Sequence, residues 1–513
     1  MPLFNNISLS PGASLENALK KLDPSFKSYR ILKKSLDARK KKKIMYIYNV
    51  ETFTTEMPPP KEKIVLDRFP ADKKPMTTII GAGPAGLFAA LRLVERGLPC
   101  RILERGKPIL ERMRDISRHW KKGQLNPDSN VCFGEGGAGT FSDGKLITRI
   151  KSEHIDYVMQ RFVDFGSPDE IIYLANPHVG SNQIRKVISR LSEYLQEKGC
   201  AIEYDTRVEE FNLVDSQLES VTCQNGKKFE SDHWILASGH SAHDIYRSLI
   251  NVNILCESKS FAMGFRIEHP QEFIAKAQYG KFYNHPDMPT ANYKISCHDK
   301  KSNVGVYSFC MCPGGYVLAS SAQAGQMVVN GMSNYNHGSP FANSGLVITI
   351  DKEKWLGTDP LKALDFQSSI EKKAYDVGQD AGATIHIPAQ TPEDFMNDRA
   401  GKIGKSSCPS GVISANLRDI YPKELNDAYI KALENFERKI PGFITNNALL
   451  HAVESRTSSP IRVPRDKANL ESPSCSNLYP CGEGAGYAGG ITSAAVDGIR
   501  CAEAIFEKAS AEL

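Results

Sequence analysis

The 513-residue sequence contains no CxxC, although twelve cysteines are spread from Cys100 to Cys501. That absence removes the usual spacing of a structural zinc site and of a thioredoxin-like dithiol, so the cysteines are expected as reduced thiols and no metal is expected. The one close pair, Cys310 and Cys312 in a CMCPGG run, is expected to stay unjoined, because a bridge would strain a strand backbone. Long apolar runs are also missing. The longest, Ile79 to Val94, is broken by Arg92 and carries Gly81, Gly83 and Gly86, which excludes it as a membrane span. Residues Met1 to Ser10 lack both a basic segment and an apolar stretch, which argues against a secretory signal and for the cytoplasm. Charge is nearly balanced: 64 Lys+Arg against 59 Asp+Glu leave only +5, so neither a nucleic acid nor an acidic lipid surface is expected as partner. No repeat of fixed period is visible.

What is present suits an enzyme of several domains acting on a small molecule, since the chain is too long for one core. Residues 1–55 read as a small α/β module: an alternating start, an amphipathic helix near Leu15 to Leu22, and two strand-like runs. Between those runs Arg39 to Lys43 forms a basic stretch that suits a solvated hairpin turn. Residues 56–75, rich in proline and lysine, read as a linker. Residues 76–255 are expected to begin an α/β, Rossmann-type dinucleotide domain. Residues 256–400, where β-like runs alternate with loops, are expected as an inserted substrate-side domain. Residues 401–513 are expected to return to the first domain.

The strongest motif lies at the start of the main body. Met76 to Ile80 is a buried-strand pattern that runs into Gly81-Ala-Gly83-Pro84-Ala85-Gly86 and a helical Leu87 to Glu95. Gly81 permits the turn, Gly83 admits a pyrophosphate, and Gly86 lets helix and strand pack closely. The helix opening at Pro84 and Ala85 offers free N–H groups and a positive dipole to the anion. A second strand, Cys100 to Leu103, ends in Glu104, followed by Arg105; a carboxylate there suits ribose hydroxyls without a 2′-phosphate. Two further GxGxxG matches fail on context. Gly134 to Gly139 lacks a preceding strand, although its Gly137 and Ala138 suit close approach to a ligand. Gly484 to Gly489 has no room for a βαβ unit after it.

The segment Leu478-Tyr-Pro-Cys-Gly482-Glu483, followed by Gly489-Gly490-Ile491-Thr492-Ser493, resembles the flavin-closing element of glutathione-reductase-like flavoproteins. Trp234-Ile-Leu-Ala237-Ser238-Gly239 resembles the strand end that crosses near the cofactor in that superfamily. The resemblance implies FAD as cofactor, with Glu483 toward the ribityl chain and the helix beginning at Gly490, Ile491 and Thr492 aimed at the flavin ring. It also implies that Val208, at the end of the Ala201 to Val208 stretch, contacts adenine. Over most of its length the chain resembles a family of FAD-dependent dehydrogenases. Val131 to Lys145, Val306 to Gly315, Asn330 to Asn334 and Val453 to Pro460 carry that resemblance.

The candidates for chemistry are Lys145 in the glycine-dense loop, Glu454 and Arg456 in ESRTSSPIR, and His240, with His178 and His243 as further histidines. Lys145 and Arg456 are expected to hold an anionic group on a small-molecule substrate, and a separate electron donor or acceptor is expected. The leading expectation is hydride transfer between flavin and a small organic substrate. An FAD-dependent RNA-modifying enzyme anchored by the basic hairpin, and a non-enzymatic flavin redox sensor, stand as alternatives. A flavin hydroxylase is disfavoured, because the closing motif lacks the His and Pro usual after its Gly-Asp.

Overall fold

In a computed structural model, residues 2–58, 66–70, 74–299, 304–383 and 385–513 are described; residues 59–65 and 71–73 of the expected linker lie outside them. The body is a mixed α/β structure built on two large sheets. Thr77–Ile80 is a run of β-branched residues, buried throughout, and becomes the middle strand of a five-stranded parallel sheet. The order is Leu478–Pro480, His233–Leu236, Thr77–Ile80, Cys100–Leu103, Ala201–Glu203.

Side chains alternate across this sheet. Ile79, Ile102, Ile235 and Tyr479 face one way, into a core shared with helices Pro84–Arg96, Gly180–Glu197 and Ile491–Ala511. Ile80, Leu103, Trp234 and Leu478 face the other, toward helix His243–Asn251 and an antiparallel sheet of Val208–Val214, Gln217–Cys223 and Lys228–Glu230. Helix Pro84–Arg96 is buried from Ala85 to Leu93 because it lies between the sheet and Ile491–Ala511, and Arg92 is carried inside by Glu503 at 2.5 Å. Val208 therefore opens the antiparallel sheet; the parallel strand ends earlier, at Glu203.

The second large sheet has seven strands, ordered Ser296–Asp299, Val304–Cys312, Phe341–Ile350, Phe261–Pro270, Leu449–Glu454, Ile387–Gln390, Val412–Ser414. Two of them come from beyond residue 400, so the boundary expected there falls inside the sheet. Backbone pairing of Phe261–Pro270 with Leu449–Glu454 makes the later strand integral to it. Helices Pro360–Asp380 and Lys423–Lys439 contribute to its core.

The first module is a three-stranded sheet, Leu3–Leu9, Met45–Phe53, Ser28–Asp37, with helix Leu15–Leu22. Lys40 to Lys43 are exposed in its hairpin turn. The module is fastened to the body by Lys34 N–H to the Tyr173 carbonyl (2.8 Å) and Ala175 N–H to the Lys34 carbonyl (2.9 Å). Tyr46 also donates to the Asp287 carbonyl. Among the described residues no helix is long and apolar enough to cross a membrane.

Candidate functional site

A cavity of about 1620 Å³ is lined by both large sheets and by Leu36, Ala38 and Arg39 of the first module. It exceeds the roughly 300–1,000 Å³ of a pocket for one small ligand, leaving room for a dinucleotide and a substrate together.

The end formed by the parallel sheet is made mostly of backbone. Gly81 has φ +109, and an added Cβ would stand 2.4 Å from the Ala237 carbonyl oxygen; at Gly86 it would stand 2.0 Å from the Gly81 oxygen. Both glycines are required by packing. Gly83 differs: φ is −76°, and a Cβ would meet nothing nearer than the Gly137 Cα at 4.0 Å, so what lies before it is open cleft. Gly83 caps helix Pro84–Arg96 and Pro84 takes the first position, where a missing N–H is harmless. The positive end of that helix thus borders the cavity. Glu104 is buried and accepts N–H groups of Ala82 (2.7 Å), Gly106 (2.9 Å) and Gly134 (2.9 Å). A carboxylate has about four acceptor positions, so one remains for a sugar hydroxyl.

Gly137, Ala138, Val208, Ala237, Gly239 and Gly482 line the same end, as do Ala85, Gly490 and Ile491. Arg105 also lines it, but its guanidinium is held by Asp244 (2.8 Å) and lies over the Phe133 ring at 4.3 Å. Glu483 lines the cleft, and burial pushes its carboxyl up to about 7 against the pull of Lys259. Gly86 sits where helix and strand pack, as expected, and does not line the cleft, whereas Thr492, expected at the cofactor, donates its hydroxyl to the Leu146 carbonyl at 2.7 Å. Phosphate-sized space before Gly83, helix N-termini at both Gly83 and Gly490, and a carboxylate with a spare acceptor position together fit an adenine dinucleotide.

The opposite end is made of side chains. Asp143 is buried and meets His178 Nδ1 at 3.2 Å, Lys145 Nζ at 3.6 Å and the Ser333 hydroxyl. Burial opposes its ionisation, yet Lys145, His178 and Ser333 hold the carboxyl down at about 2. The His178 and His337 rings stack at 4.1 Å, and burial beside His178 lowers His337 to about 4. Lys145 is also anchored by the Met311 carbonyl, and its charge is reinforced by Asp143.

Ligand atoms of Asp143, His178 and His337 lie within 4.8 Å of one another, a spacing that suits a cation. The Lys145 ammonium already supplies positive charge there, so the group is better suited to moving protons.

Glu454, Arg456 and His240 all line the cavity as well, but with their chemistry engaged. Glu454 forms a two-pronged pair with Arg266 (2.6 and 2.8 Å), and Arg456 forms another with Glu371 (2.7 and 2.8 Å). Arg456 was expected to hold a substrate anion, yet its charge is already neutralised by a buried carboxylate. Burial, and then Arg456, lower His240 to about 4, which makes it a neutral ring at pH 7. His243 is likewise buried, against Gln367. Sequence reasoning did not find His337, Arg266, Glu371 or Ser333, and left Asp143 as part of a loop's composition. The Asn330 to Asn334 run was the available signal, since it supplies Ser333 and leads to His337.

A dinucleotide turn and a wall of titratable side chains share one cavity, and comparison with known proteins supplies the cofactor. Residues 260–457 match the family described as FAD-dependent protein, C-terminal domain-like, and residues 1–53 match a domain of unknown function, DUF8436. An uncharacterized protein of Clostridium beijerinckii is 39% identical over 535 aligned positions, covering 98% of each chain. The chain belongs to the family of that protein, and its cofactor is FAD. Among solved structures, a mutant of halogenase PltM in complex with FAD aligns over 86% of this chain and 71% of its own, at 10% identity and a TM-score of 0.41. A mutant of the flavin-dependent brominase Bmp2 aligns over 84% and 80%, at 11% identity and a TM-score of 0.38.

Proposed function

We propose that this protein is an FAD-dependent oxidoreductase of the dehydrogenase or reductase kind, moving hydride between flavin and a small organic substrate. In this reading the parallel sheet is a Rossmann-type domain of the glutathione-reductase-like superfamily, and the seven-stranded sheet is a substrate domain inserted into it. The single observation that carries the proposal is the Asp143, Lys145, His178, His337 cluster facing the same cavity as the dinucleotide turn. Hydride chemistry at carbon requires a proton to be taken or given at a neighbouring heteroatom. FAD supplies the two-electron chemistry when bound. Lys145 Nζ donates or orients, Asp143 keeps Lys145 charged, and His178 and His337 connect that carboxylate to the cavity.

With Arg456 engaged, an anionic substrate is favoured by the exposed Arg149 and Lys294, which also line the cavity, and by Lys145, which it would share with Asp143. A separate electron donor or acceptor completes the cycle, and the cytoplasm suits twelve free thiols.

Anaerobic mixing of the holoenzyme with NADH, NADPH and a panel of organic donors tests this. Bleaching of the flavin by one of them is expected, and failure with all of them would reject the dehydrogenase reading. In Lys145→Met that step should slow roughly 30- to 1000-fold with FAD content unchanged, as for loss of a charged contact in a desolvated pocket. An unaltered rate would remove Lys145 from the site.

A further inference from the structure

The CMC run was expected to be inert, on the premise of a regular strand. The strand Val304–Cys312 is not regular: its register against Phe341–Ile350 shifts between Phe309 and Cys312, and Cys310 has φ +43. That is the left-handed region, which a residue with a Cβ occupies only when its surroundings hold it there, and such residues gather at working sites. The bulge breaks the alternation that would have sent the two side chains to opposite faces. The Cys312 thiol reaches the Cys310 carbonyl at 3.5 Å.

Cys310 lines the large cavity, on the wall that carries Lys145. The Lys145 ammonium is bonded to the carbonyl of Met311, the residue between the two cysteines, and Arg266 Nη1 reaches the Cys310 carbonyl at 3.4 Å. Cys312, Lys145 and Arg266 favour the charged form of Cys310 and hold its thiol below the ordinary range, whereas Cys312 is raised. A thiol beside cations, open to a cavity and two residues from a second thiol across a bulge, is the arrangement of an attacking and a resolving cysteine. Cys100 and Cys200 are also neighbours but do not line this cavity, and Cys100 is raised; Cys481 lines it beside Cys501, whose sulfur Arg465 reaches at 3.7 Å, but the Cys481 thiol is raised by Cys501 and by burial, whereas Cys310 is lowered.

We propose that Cys310 and Cys312 are a redox-active dithiol that exchanges two electrons with the FAD, so that the reaction passes through a protein disulfide. The inference rests on the flavoprotein reading above. Oxidation joins Cys310 Sγ to Cys312 Sγ. Both S–H bonds break, and their two protons and two electrons go to oxidised FAD, giving the dihydro form. The reverse step restores both thiols. The substrate class this adds is a dithiol or disulfide small molecule, attacked by or attacking Cys310, the sulfur open to the cavity.

The test is an anaerobic reductive titration of the holoenzyme combined with differential alkylation and peptide mass analysis of the CMC peptide. Wild-type protein, oxidised beforehand, should take up four electrons per FAD, and Cys310→Ser or Cys312→Ser only two. The wild-type peptide should be blocked to alkylation before reduction and take two labels after it, a readout that needs neither turnover nor a variant. Uptake of two electrons by wild-type protein, with both thiols labelled throughout, would overturn the dithiol and leave the flavin reading standing. A protein that holds no flavin would overturn both.

Discussion

The two ends of the cavity are built from different material. At the dinucleotide end the working groups are backbone: the turn at Gly81 to Gly86, the amides around Glu104, and the start of helix Ile491–Ala511. At the other end they are side chains brought from distant segments: Asp143 and Lys145 from one loop, His178 from a second, Ser333 and His337 from a third. A site built mostly of backbone tolerates little change in chain geometry, and its few titrating groups, such as Glu483, are set by burial. A side-chain site is held by ion pairs and responds to pH.

The sharpest break of this contrast is at the glycines. Gly81→Val places a side chain where even a Cβ would be 2.4 Å from the Ala237 oxygen, and loss of the folded, FAD-binding protein is expected. Gly83→Ala, which meets only open space, should leave the apoprotein's denaturation midpoint close to that of wild type while FAD binding collapses. Retention of FAD by Gly83→Ala would show that the pyrophosphate does not lie against this turn.

Arg456→Met comes next. Removing one partner of its buried pair strands Glu371, and destabilisation of about 3–5 kcal/mol is expected in a denaturant titration. A fold of unchanged stability would return Arg456 to the pool of substrate-binding cations.

A smaller, pH-dependent difference should separate Asp143 from Glu483. The Asp143 carboxyl lies below its unfolded value of 3.8, so it stabilises the fold above that pH, and the contribution disappears as pH falls toward about 2. Glu483 lies above its unfolded 4.5, so the apoprotein should lose stability as pH rises from 4.5 to about 7. Asp143→Asn should flatten the acid limb and Glu483→Gln the neutral one, which thermal denaturation across pH reads directly. Glu483→Gln limbs identical to wild type would show that this carboxyl is not desolvated. The smallest effect is expected from Lys41→Ser with Lys42→Ser in the exposed hairpin, within about 0.5 kcal/mol of wild type.

The same contrast explains what the sequence discloses. Gly81, Gly83, Glu104 and Gly482 were legible because each function is tied to a short run of chain, strand to turn to helix. The partners of Glu454 and Arg456 were not, because Arg266 and Glu371 are 188 and 85 residues away and no periodicity connects them. The expected boundary at residue 400 failed for a related reason: Leu449–Glu454 looks like any apolar strand, and only its pairing with Phe261–Pro270 assigns it to the second sheet. The bulge at Cys310 was not legible either, since a bulge leaves no mark in the amino-acid pattern.

The arrangement of late strands bears on how the protein matures. Leu478–Pro480 flanks His233–Leu236 in the parallel sheet, and Ile491–Ala511 lies along Pro84–Arg96, so both complete elements made some 240 to 400 residues earlier. On the ribosome, the segment from 77 to 251 waits with an apolar face uncovered until residues 478–511 are available. The cleft lined by Gly482, Gly490 and Ile491 is therefore complete only once the last elements of the chain are in place.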